Sequence, residues 1–285
     1  MTVAKARGVA ALMLGQLGLA KRAAAAVLGF TVALAPLPEA SASARVSVEG
    51  VYTISIAGWN IAQASLDLAI DRQRYDADLF MKPTGVAQIV TAVRTVVASE
   101  GRLAHGRVLP SGYRVRAEET RQPVSVDMRL SGGTVSSLRA SPPLRQGRDR
   151  VPVTGVHKRG IVDPMSSGLL PIRRADGRDA CDHTLKIFDG WTRYDVRLFF
   201  KGTERVSVPG FTGTIPVCGA RWVPVAGHRL NKPEVRYLAN NKQLEMSVLP
   251  LPNARVAIPF RVSIGTPNGT IVIKPTEIRL SGAGA

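Results

Sequence analysis

The chain has 285 residues, 45% of them hydrophobic and only 5% aromatic, and its 38 Lys and Arg against 21 Asp and Glu leave a net charge of +17. A chain of this length and composition can bury a sizeable core, which excludes wholesale disorder. After residue 50 there is no uninterrupted apolar run of about 18 residues, which excludes a helical membrane span in that part of the chain.

Residues 1–44 read as an address. Lys5, Arg7, Lys21 and Arg22 precede an apolar run from Ala23 to Leu37, and Ala42-Ser43-Ala44 has the small-x-small pattern of a signal-peptidase site. The run meets Pro36 and Pro38 too early to span a bilayer as a helix. The expectation is a cleaved signal peptide over 1–44 and a mature chain, 45–285, that begins at Arg45 in an oxidising compartment and carries +14.

From Val51 onward, apolar and polar residues alternate with period 2, as half-buried strands require. Tyr52, Ile54 and Ile56 alternate with Thr53 and Ser55; after a break at Gly58-Trp59-Asn60, Ala62, Ala64, Leu66, Leu68 and Ile70 form the inward row of a second strand. Residues 85–98 support two readings. Val86, Ile89, Val90, Val93 and Val97 suit one helical face, whereas the β-branched content suits a strand. Val124, Val126, Met128 and Leu130 run into a Gly132-Gly133 turn.

Residues 141–180 break the pattern, with prolines at 142, 143, 152, 164 and 171 and little period of either kind. The stretch 139–179 also holds nine basic and four acidic residues, a surface suited to anionic headgroups or an acidic partner. An exported chain meets little nucleic acid, so no nucleic-acid partner is expected. Ser166-Ser167-Gly168 behind Asp163-Pro164 reads more economically as a helix cap than as a nucleophile. Cys181 and Cys218 are the only cysteines, and in an oxidising compartment such a pair is expected to form a disulfide. His183, Leu185 and Ile187 then lead to Asp189-Gly190, a two-residue type I′ hairpin signature, from which Tyr194, Val196, Leu198 and Phe200 return. Asp189, Arg193 and Asp195 gather charge at that turn, read as turn chemistry with a cross-strand ion pair. Val256 to Ile264 and Ile271 to Ile273 make a last hairpin about Asn268-Gly269.

The fold class that follows is mostly β: one large antiparallel sheet curled into an open barrel or spiral, with one or two short helices, and residues 141–180 as a Pro- and Arg-rich connection within a single domain. Chemistry is harder to find. G-x-S-x-G, S-x-x-K, H-E-x-x-H, the P-loop and G-x-G-x-x-G are absent, and His105, His157, His183 and His228 are scattered singly. No catalytic residue, metal or cofactor is expected, and the chain reads as a non-enzyme.

Several short stretches, in order, carry a resemblance. They are Tyr52 to Gly58, Pro83-Thr84-Gly85, Leu109-Pro110 to Tyr113, Asp163 to Ser166, Ile187 to Asp195 (with Asp189, Gly190, Arg193 and Tyr194), Gly213, Cys218, Arg255 to Ile258 and Thr266 to Gly269. Across about residues 50–281 the chain resembles domain-of-unknown-function family 3108, a group of proteobacterial periplasmic proteins, and more distantly the envelope β-spiral proteins of alphaproteobacteria. Tyr237-Leu238-Ala239-Asn240 departs from it, standing where the resemblance implies a Trp-containing strand. The resemblance implies a curved sheet around an apolar cavity, as in lipoprotein carriers, and brings no active site with it. Together with inward rows of small aliphatic residues, it makes Leu66 and Leu68 the candidate contacts of a lipid-like ligand. The functional expectation is a non-catalytic periplasmic protein that binds such a ligand or a partner protein in maintaining the envelope. A structural subunit of an envelope complex is the alternative, and a hydrolase a more distant one.

Overall fold

The computed structural model describes residues 45–85, 87–90, 92–118, 123–144 and 147–282, so the signal segment read over 1–44 lies outside the described residues. In chain order the elements are β1 (Val46–Ile56), β2 (Trp59–Asp71), β3 (Arg74–Pro83), the single-turn helix α1 (Ala87–Val90), β4 (Arg94–Ala104), β5 (Arg107–Glu118), β6 (Val124–Ser131) and β7 (Thr134–Ser141). A long connection follows, bearing β8 (Leu170–Pro171). Then come β9 (Thr184–Phe188), β10 (Arg193–Val208), β11 (Phe211–Ala226), α2 (Pro233–Asn240), β12 (Leu244–Leu251), β13 (Val256–Thr266) and β14 (Gly269–Ser281).

Thirteen strands make one path, β7-β6-β5-β4-β3-β2-β1-β14-β13-β12-β11-β10-β9, with β8 beside β13, and every strand pairing is antiparallel. The chain is therefore two meanders joined where its first strand pairs with its last. The large, mostly antiparallel sheet is as the alternation implies. It does not close on itself, because β7 and β9 are separate edges. The connection lies between them instead. Ile161 donates its N–H to Gly133 O beside β7, at 3.0 Å, and Val162 exchanges backbone hydrogen bonds with Lys186 and Phe188 of β9, at 2.9 and 3.0 Å. The connection's residues 147–183 thus bridge the two edges and pass over the inner face.

The alternation sorts side chains cleanly. One inward row crosses eight strands through Leu280, Val48, Leu68, Ala77, Ser99, Tyr113, Met128 and Leu138, each opposite the next. The neighbouring outward row carries Arg279, Glu49, Asp67, Asp78, Ala98, Arg114, Asp127 and Arg139. A shift of one residue in any strand would exchange these two faces, so the pattern fixes the register. The distal half of the β10–β11 hairpin bends back over the inner face. Its Ile215 joins a core with Val46, Val48, Leu68, Ile70, Leu249, Leu251 and Ile278, while Val206, Val208 and Phe211 pack against it.

Local details differ from the sequence reading where side chains compete with the backbone. The first hairpin turns on Ala57-Gly58, and Trp59 already opens β2. The Asp189-Gly190 pair does not form a two-residue turn. Asp189 captures the N–H groups of Trp191 and Thr192, at 2.8 and 2.6 Å, so the loop runs to Thr192 and pairing resumes at Phe188 with Arg193. In the last hairpin Pro267 and Asn268 occupy the turn and Gly269 starts the return strand. Residues 85–98 contain both alternatives, α1 and then the start of β4. Tyr237 to Asn240 is helical, not a strand, because Pro233 at the first turn starts α2 and Leu238 anchors it on the core beside β11. Among the described residues no helix is long and apolar enough to cross a membrane.

Candidate functional site

The site is built around residues 163–169 of the connection, which lie on the inner face of the sheet. Asp163 caps a short turn by accepting the N–H of Ser166 on Oδ1 at 2.9 Å. A 3₁₀ turn, Ser166–Gly168, follows. Asp163 and Ser166 face a polar cluster on one side of the segment, while Pro164, Met165 and Leu169 line a cleft on the other.

On the apolar side is an open cleft of about 360 Å³. Its walls are Tyr52 and Ile54 from β1, Ala64, Leu66 and Leu68 from β2, and Ala77, Leu79 and Met81 from β3. Ile258, Pro259 and Val262 from β13, with Ile273 from β14, continue the wall, and Pro164, Met165, Gly168 and Leu169 cover it. The volume lies within the roughly 300–1,000 Å³ usual for small-ligand pockets. Room exists because two wall positions are alanine, Ala64 and Ala77, and because Gly50 lets the Tyr52 ring lie flat on the strand; a Cβ there would come within 2.6 Å of that ring. Tyr52 is the one oxygen-bearing side chain in the wall, and its hydroxyl points to Pro259 O at 3.4 Å. Burial pushes its pKa up to about 12, so it stays neutral. Beyond Ile54 the same face continues through Ile56, opposite Trp59 and Ile271, to a rim where Trp59 is 69% exposed.

On the polar side is a buried, hydrogen-bonded knot. Ser166 donates to Asp163 Oδ2 at 2.5 Å, so its oxygen is left to accept from the Tyr75 hydroxyl at 2.6 Å. Ser99 stands 3.1 Å from the same carboxylate oxygen, 2.8 Å from Ser166 Oγ and 3.2 Å from Gly112 O. Asp163, Ser166, Ser99 and Tyr75 are all buried. Gly101 makes room for the Tyr75 hydroxyl, since a Cβ at Gly101 would stand 2.6 Å from it. Burial pushes the Asp163 carboxyl above the ordinary range, against the pull of its donors. Burial, followed by the nearby Asp163 charge, raises the Tyr75 and Tyr113 phenols.

The structure places the sequence-derived candidates in three locations. Leu66 and Leu68 stand in the cleft wall, Leu66 half-buried and Leu68 buried. Asp163 backs the cleft from the polar side. Asp189, Gly190, Arg193, Tyr194 and Asp195 lie at the β9–β10 turn, away from it. There Gly190, at φ +102, packs on Val126, while Arg193 stands 2.6 Å from Asp195 as an ion pair rather than an aligned hydrogen bond. Tyr194 faces Trp222, with ring centroids 5.9 Å apart. Cys181 and Cys218 are bonded and fully buried, tying the turn before β9 to β11. His183 is engaged with Pro171 O at 2.7 Å. Nothing in the sequence reading pointed to Tyr75, Ser99 or the β3 wall. The signal was present as alternation of Tyr75, Ala77, Leu79 and Met81 with Asp76, Asp78, Phe80 and Lys82. The basic stretch 139–179 is divided: Arg174 pairs with Asp176, Arg150 donates to Gly227 O, and Arg178 lies over Phe200.

The profile of the family described as Protein of unknown function (DUF3108) matches residues 51–275. Among solved structures, the crystal structure of a beta-barrel-like protein of domain of unknown function DUF1849 from Brucella abortus is similar, with a TM-score of 0.47 and 10% sequence identity over 83% of this chain and 98% of that one. No curated protein matches the chain.

Proposed function

The chain belongs to the DUF3108 family of proteins of unknown function, and we propose that it is a non-catalytic protein of the bacterial periplasm that binds a lipid-like ligand in the cleft beneath residues 164–169. The observation that carries the reading is the cleft itself, a space of about 360 Å³ walled almost wholly by carbon. Empty apolar space forfeits dispersion contacts, so a fold selected for stability alone would fill it with larger side chains at Ala64 and Ala77. A hydrocarbon entering it would gain about 25 cal/mol for each Å² of apolar surface removed from water.

Two features support the compartment and the absence of catalysis. The buried Cys181–Cys218 disulfide is the form expected in an oxidising space. Ser166, the hydroxyl best placed beside a carboxylate, is buried and hydrogen-bonded on the side away from the cleft. The envelope role rests on the export segment and the family resemblance.

The test is titration of the purified protein with a fluorescent fatty-acyl probe, with circular dichroism alongside. Saturable binding that Leu66→Arg weakens at least about tenfold, without loss of fold, is expected, since the new charge would have to be desolvated in the wall. Absence of any uptake by folded wild-type protein would remove the carrier reading. Fractionation of expressing cells should recover the protein in the periplasmic extract, and recovery in the cytosol would refute the location.

A further inference from the structure

Building on that reading, we infer that the ligand is a hydrocarbon chain that enters methyl end first, and that Ala77 opposite Leu68 forms the floor that sets its preferred length. The cleft follows the direction of β2 and β3. On these strands successive inward pairs are Ala64 with Met81, Leu66 with Leu79, and Leu68 with Ala77, and all six residues line the space. The next pair, Ile70 with Tyr75, is buried in the core and is absent from the wall. Tyr75 is held in place, because its hydroxyl is bound to Ser166 at 2.6 Å and lies against Gly101. Leu169 seals the same end from above. The polar knot thus holds the floor in place.

Length follows from strand geometry. Four residues separate Met81 from Ala77, which is roughly 14 Å at about 3.4 Å per residue. An extended alkyl chain advances roughly 1.3 Å per carbon on ordinary bond lengths, so about ten carbons fit between mouth and floor. Leu66 and Leu79 from the sheet, with Met165 and Ile258, line the space along this length.

Orientation follows from the wall chemistry. The one hydroxyl in the wall, that of Tyr52, faces Pro259 O, and the donors of the knot lie behind the floor with partners of their own. An ionised head would therefore be desolvated in the cleft with nothing to receive it, a cost that keeps it outside at the Trp59 rim.

The experiment is competition of a graded series of saturated fatty acids against the fluorescent acyl probe, on the folded full-length mature protein. Affinity should rise about fourfold per methylene and level off near ten carbons buried. In Ala77→Leu the plateau should move to chains shorter by about three carbons, and in Met81→Ala, at the mouth, it should not move to shorter chains. If Ala77→Leu fails to fold, Ala77→Val, with less added bulk, should shift the plateau in the same direction. An α,ω-dicarboxylic acid matched in length to the best fatty acid should bind at least about a hundredfold more weakly, because one charged end must go in first. Failure of every chain to bind defeats the ligand reading as a whole. Binding with a plateau unmoved by a folded Ala77 variant, or a dicarboxylate that binds as tightly as the monoacid, overturns the floor and the orientation alone.

Discussion

The two sides of residues 163–169 make an instructive pair of environments. Toward Tyr75 and Ser99 the segment presents Asp163 and Ser166, and every polar group there has a partner within about hydrogen-bond distance. Toward β1–β3 it presents Pro164, Met165 and Leu169 to a space that the protein itself leaves unfilled. The first arrangement is all commitment: three donors converge on one carboxylate, and loss of any one leaves a buried group without its bond. The second has no directional demands and can change occupant freely. The difference teaches how a β-sheet protein can hold a soft cleft open. The directional bonds are concentrated behind the cleft, where they fix a seven-residue covering segment, so that the cleft wall need contribute little to holding it.

If the knot holds the segment, substitution there should cost most. Asp163→Ala strands the Ser166 N–H and two hydroxyls in a buried site, and a loss of about 3–5 kcal/mol is expected by denaturant unfolding. A loss under about 1 kcal/mol would show that the segment is held by its apolar side instead. The disulfide anchors the far end of the same connection. Cys218→Ser should cost about 3 kcal/mol and lower the Tm by several degrees, and an unchanged melting curve would count against that anchoring.

The cleft should show the reverse balance. Leu66, half-buried in the wall, should accept Leu66→Ala for less stability than Leu68, which belongs to the core. About 1 kcal/mol against about 3 is expected in parallel melts, and equal costs would mean that the wall is packed as tightly as the core.

The smallest and most specific effect concerns pH. The Asp163 carboxyl titrates above its unfolded value, so between those two values the native state binds more protons than the unfolded state. Its contribution therefore favours the fold below the unfolded carboxylate range and is lost as pH rises through the window up to the folded value. The difference in unfolding free energy between wild type and Asp163→Asn should show that slope from the ordinary carboxylate range upward. A flat difference would mean that the three donors offset burial, and a slope of opposite sign that they outweigh it.

Much of the fold was legible in the sequence. Alternation at Tyr52 to Ile70, Val124 to Leu130 and Val256 to Ile273 named the strands and their inward faces, because a side-chain period of 2 is a local property of the pleat. Turns were legible where the backbone alone decides, as at Gly132-Gly133, and were missed where a side chain intervenes, as Asp189 does with Trp191 and Thr192. Cys181 and Cys218 needed only compartment chemistry. Leu66 and Leu68 were found as an inward aliphatic row, without any indication of what faces them.

What faces them was decided by tertiary structure alone. Tyr75 and Ser166 are 91 positions apart, and Ser99 and Ser166 are 67 apart. Residues 147–183 carry little period of their own because they follow the contours of the sheet, and each short turn takes its direction from the strands beneath it. A sequence period states which face a residue occupies. It does not state which distant segment will cover that face, since that depends on how the sheet curls and where its two edges leave room for the connection to pass.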